Sequence, residues 1–164
     1  MRQSAAAACR LCAVAREARA GLAPATRRAE LLQPGGCGGD ARPPVAVGPL
    51  VAVAARHPVA AYHALVLPCE HVEQALLRDR AWLRSAEGRA LVMQMAERGR
   101  GLLSRARDMQ AQAPGRLVFH LPPFNSQAHL HLHVLAGAFS NTYRDWAHRA
   151  GTPWAASPEE LLET

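Results

Sequence analysis

The sequence has no lysine and no isoleucine, only two asparagines, Asn125 and Asn141, and 5% aromatic residues. All 19 basic residues are therefore arginine; against 13 acidic residues they give a net charge of +6 and a pI near 10.1. Clustered cations neutralise phosphates and release counterions, so such a balance invites a nucleic-acid partner. Two features argue against a specific one. The arginines are interleaved with acids, as in Arg78-Asp79-Arg80 and Glu97-Arg98, and few aromatics stand among them to stack single-stranded bases. A GC-rich coding sequence explains the missing lysine and the abundant Ala, Gly and Pro. No apolar run approaches the roughly 20 residues that cross a bilayer, so no membrane partner is expected. The four cysteines, Cys9, Cys12, Cys37 and Cys69, follow no hydrophobic signal region, which argues against a secreted disulfide framework. The expected compartment is intracellular, cytoplasmic or nuclear; residues 1–16, rich in Ala and Arg without an acid, leave an organelle leader open.

At 164 residues the chain fits one domain, with a core over about 9–140, residues 1–16 as the leader candidate and 141–164 as a C-terminal extension. Residues 4–20 are good helix formers, and QPGGCGGDARPPVAVGP (33–49) reads as a loop interrupting the domain. The apolar runs LVAVAA (50–55) and HALVLP (63–68) predict a β-hairpin. From Ala81 to about Gln112 the period changes: Leu91, Met95, Leu102, Ala106 and Met109 recur at helical spacing, with Gly99 and Gly101 as weak points and Pro114-Gly115 as the stop. LVFHL (117–121) and HLHLHVLA (129–136) are further strands, joined through PPFNSQ, and PEELLE (158–163) predicts a short helix capped by Ser157. The order predicts an α+β domain with an antiparallel sheet and a long amphipathic helix.

Three of the eight histidines stand at alternate positions in NSQAHLHLHVLAG (125–137). On a strand, His129, His131 and His133 share one face, about 6.5 to 7 Å apart, while Leu130, Leu132 and Val134 take the other. Three uses of such a row stay open: a solvated sheet face, a metal site with a further ligand from elsewhere, or nucleophilic catalysis at phosphorus. Asn125 and Ser126, just before the row, could cradle phosphate oxygens, and His63 at the head of its strand could reach the same face.

The run HLHLHVL (129–135) matches the pattern that names the histidine triad superfamily of nucleotide hydrolases and transferases, and YHALVLPCEH (62–71) resembles its other signature. FHLPPFNSQAHLHLHVLAG (119–137) is most similar to the branch of histidine triad nucleotide-binding proteins that act as adenosine monophosphoramidases; AELL (29–32) matches weakly. The resemblance implies a central nucleophile at His131 that attacks the α-phosphorus of a nucleotide such as an adenosine phosphoramidate or an aminoacyl adenylate. His133 would assist proton transfer, His129 and His63 would orient the site, and Asn125 and Ser126 would hold the phosphate. No cofactor is required by that chemistry. In some relatives a pair like Cys9 and Cys12 binds a structural zinc, here with His63 and His129. Many relatives form homodimers through the long helix and the sheet. One departure stands out: the acid that usually binds the ribose is replaced by Ala55, beside Arg56, with Asp40 as a substitute in the loop. The alternatives are a nucleotide-binding module with little or no turnover and an aprataxin-like hydrolase of adenylated DNA ends.

Overall fold

Leu130, Leu132, Val134 and Ala136 are all essentially inaccessible to water, and their burial organises the sheet. The computed structural model describes residues 9–19, 49–109 and 115–163. A first helix, α1 (Arg10–Arg19), is followed by β1 (Leu50–Ala54) and β2 (Ala60–Pro68), which pair antiparallel with Val51 opposite Leu67. A 3₁₀ turn (Gln74–Arg78) leads into α2 (Arg80–Arg84) and the long α3 (Ala86–Met109). Then come β3 (Arg116–His120), β4 (Leu132–Phe139), α4 (Thr142–Ala147), β5 (Ala155–Ala156) and α5 (Pro158–Leu162). The sheet order is β1-β2-β4-β3-β5, every neighbouring pair antiparallel. The expected α+β fold and hairpin are present. Among the described residues no helix is long and apolar enough to cross a membrane.

Pleating sends alternate residues to opposite faces. Ala52, Ala64, Val66, Phe119, Leu132 and Val134 face α3 and join its Leu91, Val92, Met95 and Leu102 in the main core. Val59, Ala60, Val118, Leu135 and Ala155 form a smaller cluster on the other face, which also carries the histidines.

Three expectations are corrected. The single helix predicted over 81–112 is two, broken at Ser85 rather than at Gly99 or Gly101. Ser85 is extended, and its hydroxyl donates to the Trp82 carbonyl at 2.6 Å while accepting the Gly88 amide at 3.0 Å, so a side chain competes for the backbone groups of the junction. Gly99 instead marks close approach, since a Cβ there would lie 2.7 Å from a Leu117 methyl and 3.2 Å from a Leu132 methyl. The strand predicted over 129–136 begins only at Leu132, because the Leu130 amide pairs with the Val72 carbonyl and the His131 amide with the Gln74 side chain. The C-terminal residues are more than an extension. β5 pairs with β3, Leu161 enters the main core, and α5 carries a capping box between Ser157 and Glu160, as its sequence predicts. Residues 1–8, AELL, the stretch 33–48 with Cys37 and Asp40, and Pro114 lie outside the described residues.

Gly88 gives this packing a test of sign. Glycine to alanine inside a helix ordinarily stabilises by about 1 kcal/mol. A Cβ at Gly88 would lie 2.1 Å from the Trp82 carbonyl oxygen, a backbone atom that cannot rotate away. Gly88→Ala should therefore destabilise, by about 1–3 kcal/mol, in urea denaturation.

Candidate active site

Because Leu130, Leu132 and Val134 are committed to the α3 face, His129, His131 and His133 must take the other. All three are buried, which removes the solvated-row reading. His63 sits opposite Leu135 on β2 and projects to the same face, with its Nε2 2.9 Å from Nδ1 of His133. The rings of His131 and His133 lie 4.9 Å apart.

Hydrogen bonds fix which nitrogen of each ring is free. The His131 Nδ1–H donates to the His129 carbonyl at 2.8 Å, so its Nε2 carries the lone pair. The Val59 amide can only donate, and it lies 3.3 Å from His63 Nδ1. His63 then carries its proton on Nε2 and gives it to His133 Nδ1, which leaves the Nε2–H of His133 pointing onward; that atom is buried without a partner among the described residues. Gln74, fully buried, holds the row in place: its amide NH₂ donates to the His120 carbonyl at 2.6 Å and its oxygen accepts the His131 amide at 3.0 Å.

Burial disfavours the charged imidazoles. It pushes His63, His120 and His129 down to about 4, with neighbouring histidines adding to the effect. His131 is lowered by the same burial, and His133, the most enclosed, well below its ordinary value. The row is neutral near pH 7, as a nucleophilic imidazole requires.

A second cluster lies at the start of the row. Cys9, Cys12, His71 and His129 place one ligand atom each within 4.8 Å of one another. Cys12 Sγ is 3.2 Å from Nδ1 of both His71 and His129. This corrects the expected set, in which His63 stood where His71 stands. His63 lies within β2 while His71 lies three residues past its end, and the imidazole of His63 is engaged by His133. The other nitrogens of the two ligand rings meet the Glu73 carboxylate at 3.0 Å and the Pro68 carbonyl at 2.9 Å. Two thiols and two imidazoles so oriented suit a tetrahedral zinc ion. Burial, then the adjoining Cys9 thiol, push the Cys12 thiol up to about 11, which a metal would reverse.

The Asn125 amide donates to the Gln127 carbonyl at 2.7 Å and Ser126 is exposed. Ala55 extends the hairpin ladder, its amide 3.0 Å from the His63 carbonyl, and offers no carboxylate. Sequence reading missed Gln74, His120 and His148. His120 carried a legible signal, since it ends a strand on the parity that faces His133. His148 carried none.

A row of alternating histidines buried on one face of an antiparallel α+β sheet, with a fourth histidine from the neighbouring strand, defines a histidine triad protein. Residues 48–147, more than half of the 164-residue chain, match the family described as scavenger mRNA decapping enzyme C-term binding, and the chain belongs to that family. It is 35% identical over 107 residues to adenosine 5'-monophosphoramidase HINT3 of Danio rerio, covering 65% of this chain and 62% of that protein. It is 32% identical over 109 residues to the protein of the same name in Xenopus tropicalis, covering 65% of each. Over 79 residues it is 40% identical to the bifunctional adenosine 5'-phosphosulfate phosphorylase/adenylylsulfatase HINT4 of Arabidopsis thaliana, 48% of this chain and 49% of that one. The chain thus spans less than two-thirds of the length of these relatives.

The lowered histidines set a pH dependence. Between the ordinary 6.5 and the folded value of about 4, unfolded His63 and His120 bind protons that the folded rings refuse. Stability should be fully present above about pH 6.5 and fall as the pH drops towards about 4. Urea midpoints across this range measure it, and His63→Asn with His120→Asn should flatten the fall.

Proposed function

We propose that this chain is a nucleotide hydrolase, an adenosine 5'-monophosphoramidase acting through a nucleotidyl-histidine. The observation that carries the reading is the 2.8 Å bond from His131 Nδ1 to the His129 carbonyl, which leaves Nε2 as a neutral nucleophile. His131 Nε2 attacks the α-phosphorus as the P–N bond breaks. The leaving amine takes a proton from the Nε2–H of His133, which His63 orients from behind. Water then attacks the phosphorus of the covalent intermediate and returns a proton to Nε2 of His133, AMP departs, and His131 regains its free nitrogen. Asn125 and Ser126, in the turn before the row, would contact the phosphate or the leaving group. The name of the Arabidopsis relative fits a common first step with sulfate, rather than an amine, as the group displaced.

Cys9, Cys12, His71 and His129 would hold a structural zinc. Such an ion would tie α1 to the sheet and fix the ring of His129, whose carbonyl accepts from the His131 ring. Homodimerisation belongs to the same proposal: Met93, 54% exposed on α3, is an apolar side chain that a partner would cover.

Purified protein should release AMP from an adenosine phosphoramidate. His131→Ala should lower turnover by at least about 10³-fold, and a nucleotide should be recoverable on the ring of His131 after acid quench. Undiminished turnover in His131→Ala would overturn the nucleophile assignment. Ala55 favours a second reading, a nucleotide-binding module. Calorimetric AMP binding without turnover would select it.

A further inference from the structure

Beyond the triad, His120 and His148 close around His133. Ring centroids are 4.6 Å apart for His120 and His133, 4.7 Å for His120 and His148, and 5.3 Å for His133 and His148. One nitrogen from each of the three lies within 4.8 Å of the others, and His133 and His148 are buried. His148 and His133 have their second nitrogen engaged. The His148 Nδ1–H donates to the Arg144 carbonyl at 2.9 Å. His120 Nε2 is buried without a partner among the described residues. His133 Nδ1 meets His63, and its Nε2 is also an orphan. Imidazoles whose far nitrogen is tied to an acceptor while the near nitrogens converge are the usual arrangement around a divalent ion.

We propose that Nε2 of His120, His133 and His148 forms a second metal site, apart from the cysteine cluster, that takes a borderline divalent ion such as zinc. Three neutral nitrogens with an open fourth position suit that class rather than calcium or magnesium, which require oxygen ligands. Zinc–nitrogen bonds of about 2.0–2.1 Å require the rings to close by roughly 1 Å or more. His148 is the member able to give, since it stands at the C-cap of the six-residue α4 rather than in the sheet. The nearby Arg116 carries its own counterion, Asp145, at 2.7 Å.

The ligand role needs the opposite tautomer of His133 from the one used above. With metal on Nε2, the proton moves to Nδ1 and is given to His63 Nε2; the His63 proton then sits on Nδ1, and the only bond lost is the long 3.3 Å contact with the Val59 amide. Metal occupancy and proton donation by His133 therefore exclude each other, although the site itself stands independently of the phosphoramidase reading.

The test counts metal rather than turnover. Metal-free full-length protein is dialysed against zinc or cobalt(II) and the bound ion is quantified, for the native chain, for His148→Gln, and for Cys9→Ser with Cys12→Ser. The expected result is one equivalent lost with His148→Gln, and one equivalent retained in the cysteine variant. The retained cobalt should show visible d–d bands without the near-ultraviolet thiolate charge-transfer band. His120→Gln should weaken the same equivalent by about tenfold or more, the loss of at least 1.4 kcal/mol of ligation. If the cysteine variant does not fold, the difference between native and His148→Gln still decides. A metal count and affinity that neither His148→Gln nor His120→Gln changes would overturn the site.

Discussion

The burial of Leu130, Leu132 and Val134 against α3 is the constraint on which the rest depends. Each contributes roughly 1.5–3 kcal/mol by leaving water, and a slip of one residue would exchange all three for imidazoles. The main core would then receive polar rings without partners, each unsatisfied nitrogen adding about 1–3 kcal/mol of its own. The register of β4 is therefore set by hydrocarbon, and the histidine row inherits its position without any interaction of its own having to hold it there.

Hydrocarbon alone does not shape the site, because the sheet ladder stops where the chemistry begins. β3 pairs with β4 only from Arg116 opposite Leu135 to Val118 opposite His133. Past that point the strands part, and the buried Gln74 bridges the gap between the His120 carbonyl and the His131 amide. A continuous ladder would have carried His131 along the sheet as an ordinary strand residue. The interruption satisfies its backbone through a side chain and frees the His129 carbonyl to accept from the His131 ring.

The period-two and helical patterns were legible because each reports burial of one face. The strands, the long amphipathic stretch, the Ser157 cap and the placement of His63 beside the row all follow from local spacing. What escaped depends on pairings distant in sequence. The break at Ser85 needs a hydroxyl to compete with its own backbone, which the apolar spacing on either side conceals. Choosing His71 over His63 for the cysteine cluster requires knowing that the chain past the end of β2 brings His71 beside His129. His120 was placed on a strand but given no role, since its meaning comes from His133 across the sheet, and His148 arrives from a turn with no periodicity to mark it.

The histidines differ less in their environment than in which nitrogen each has already committed. Seven of the eight are drawn into two adjoining groups, and in most of these rings the backbone or a carboxylate takes one nitrogen and leaves the other to chemistry. His71 and His129 present Nδ1 to the thiols because Glu73 and the Pro68 carbonyl hold Nε2. His131 presents Nε2 because a carbonyl two residues back holds Nδ1. His133 alone has an imidazole, His63, as its anchoring partner, and an imidazole can either donate or accept. That one ambiguous partner leaves His133 the ring whose tautomer can switch, as the two proposed roles of proton donor and ligand require, whereas the rings anchored by carbonyls are fixed in one tautomer by the fold.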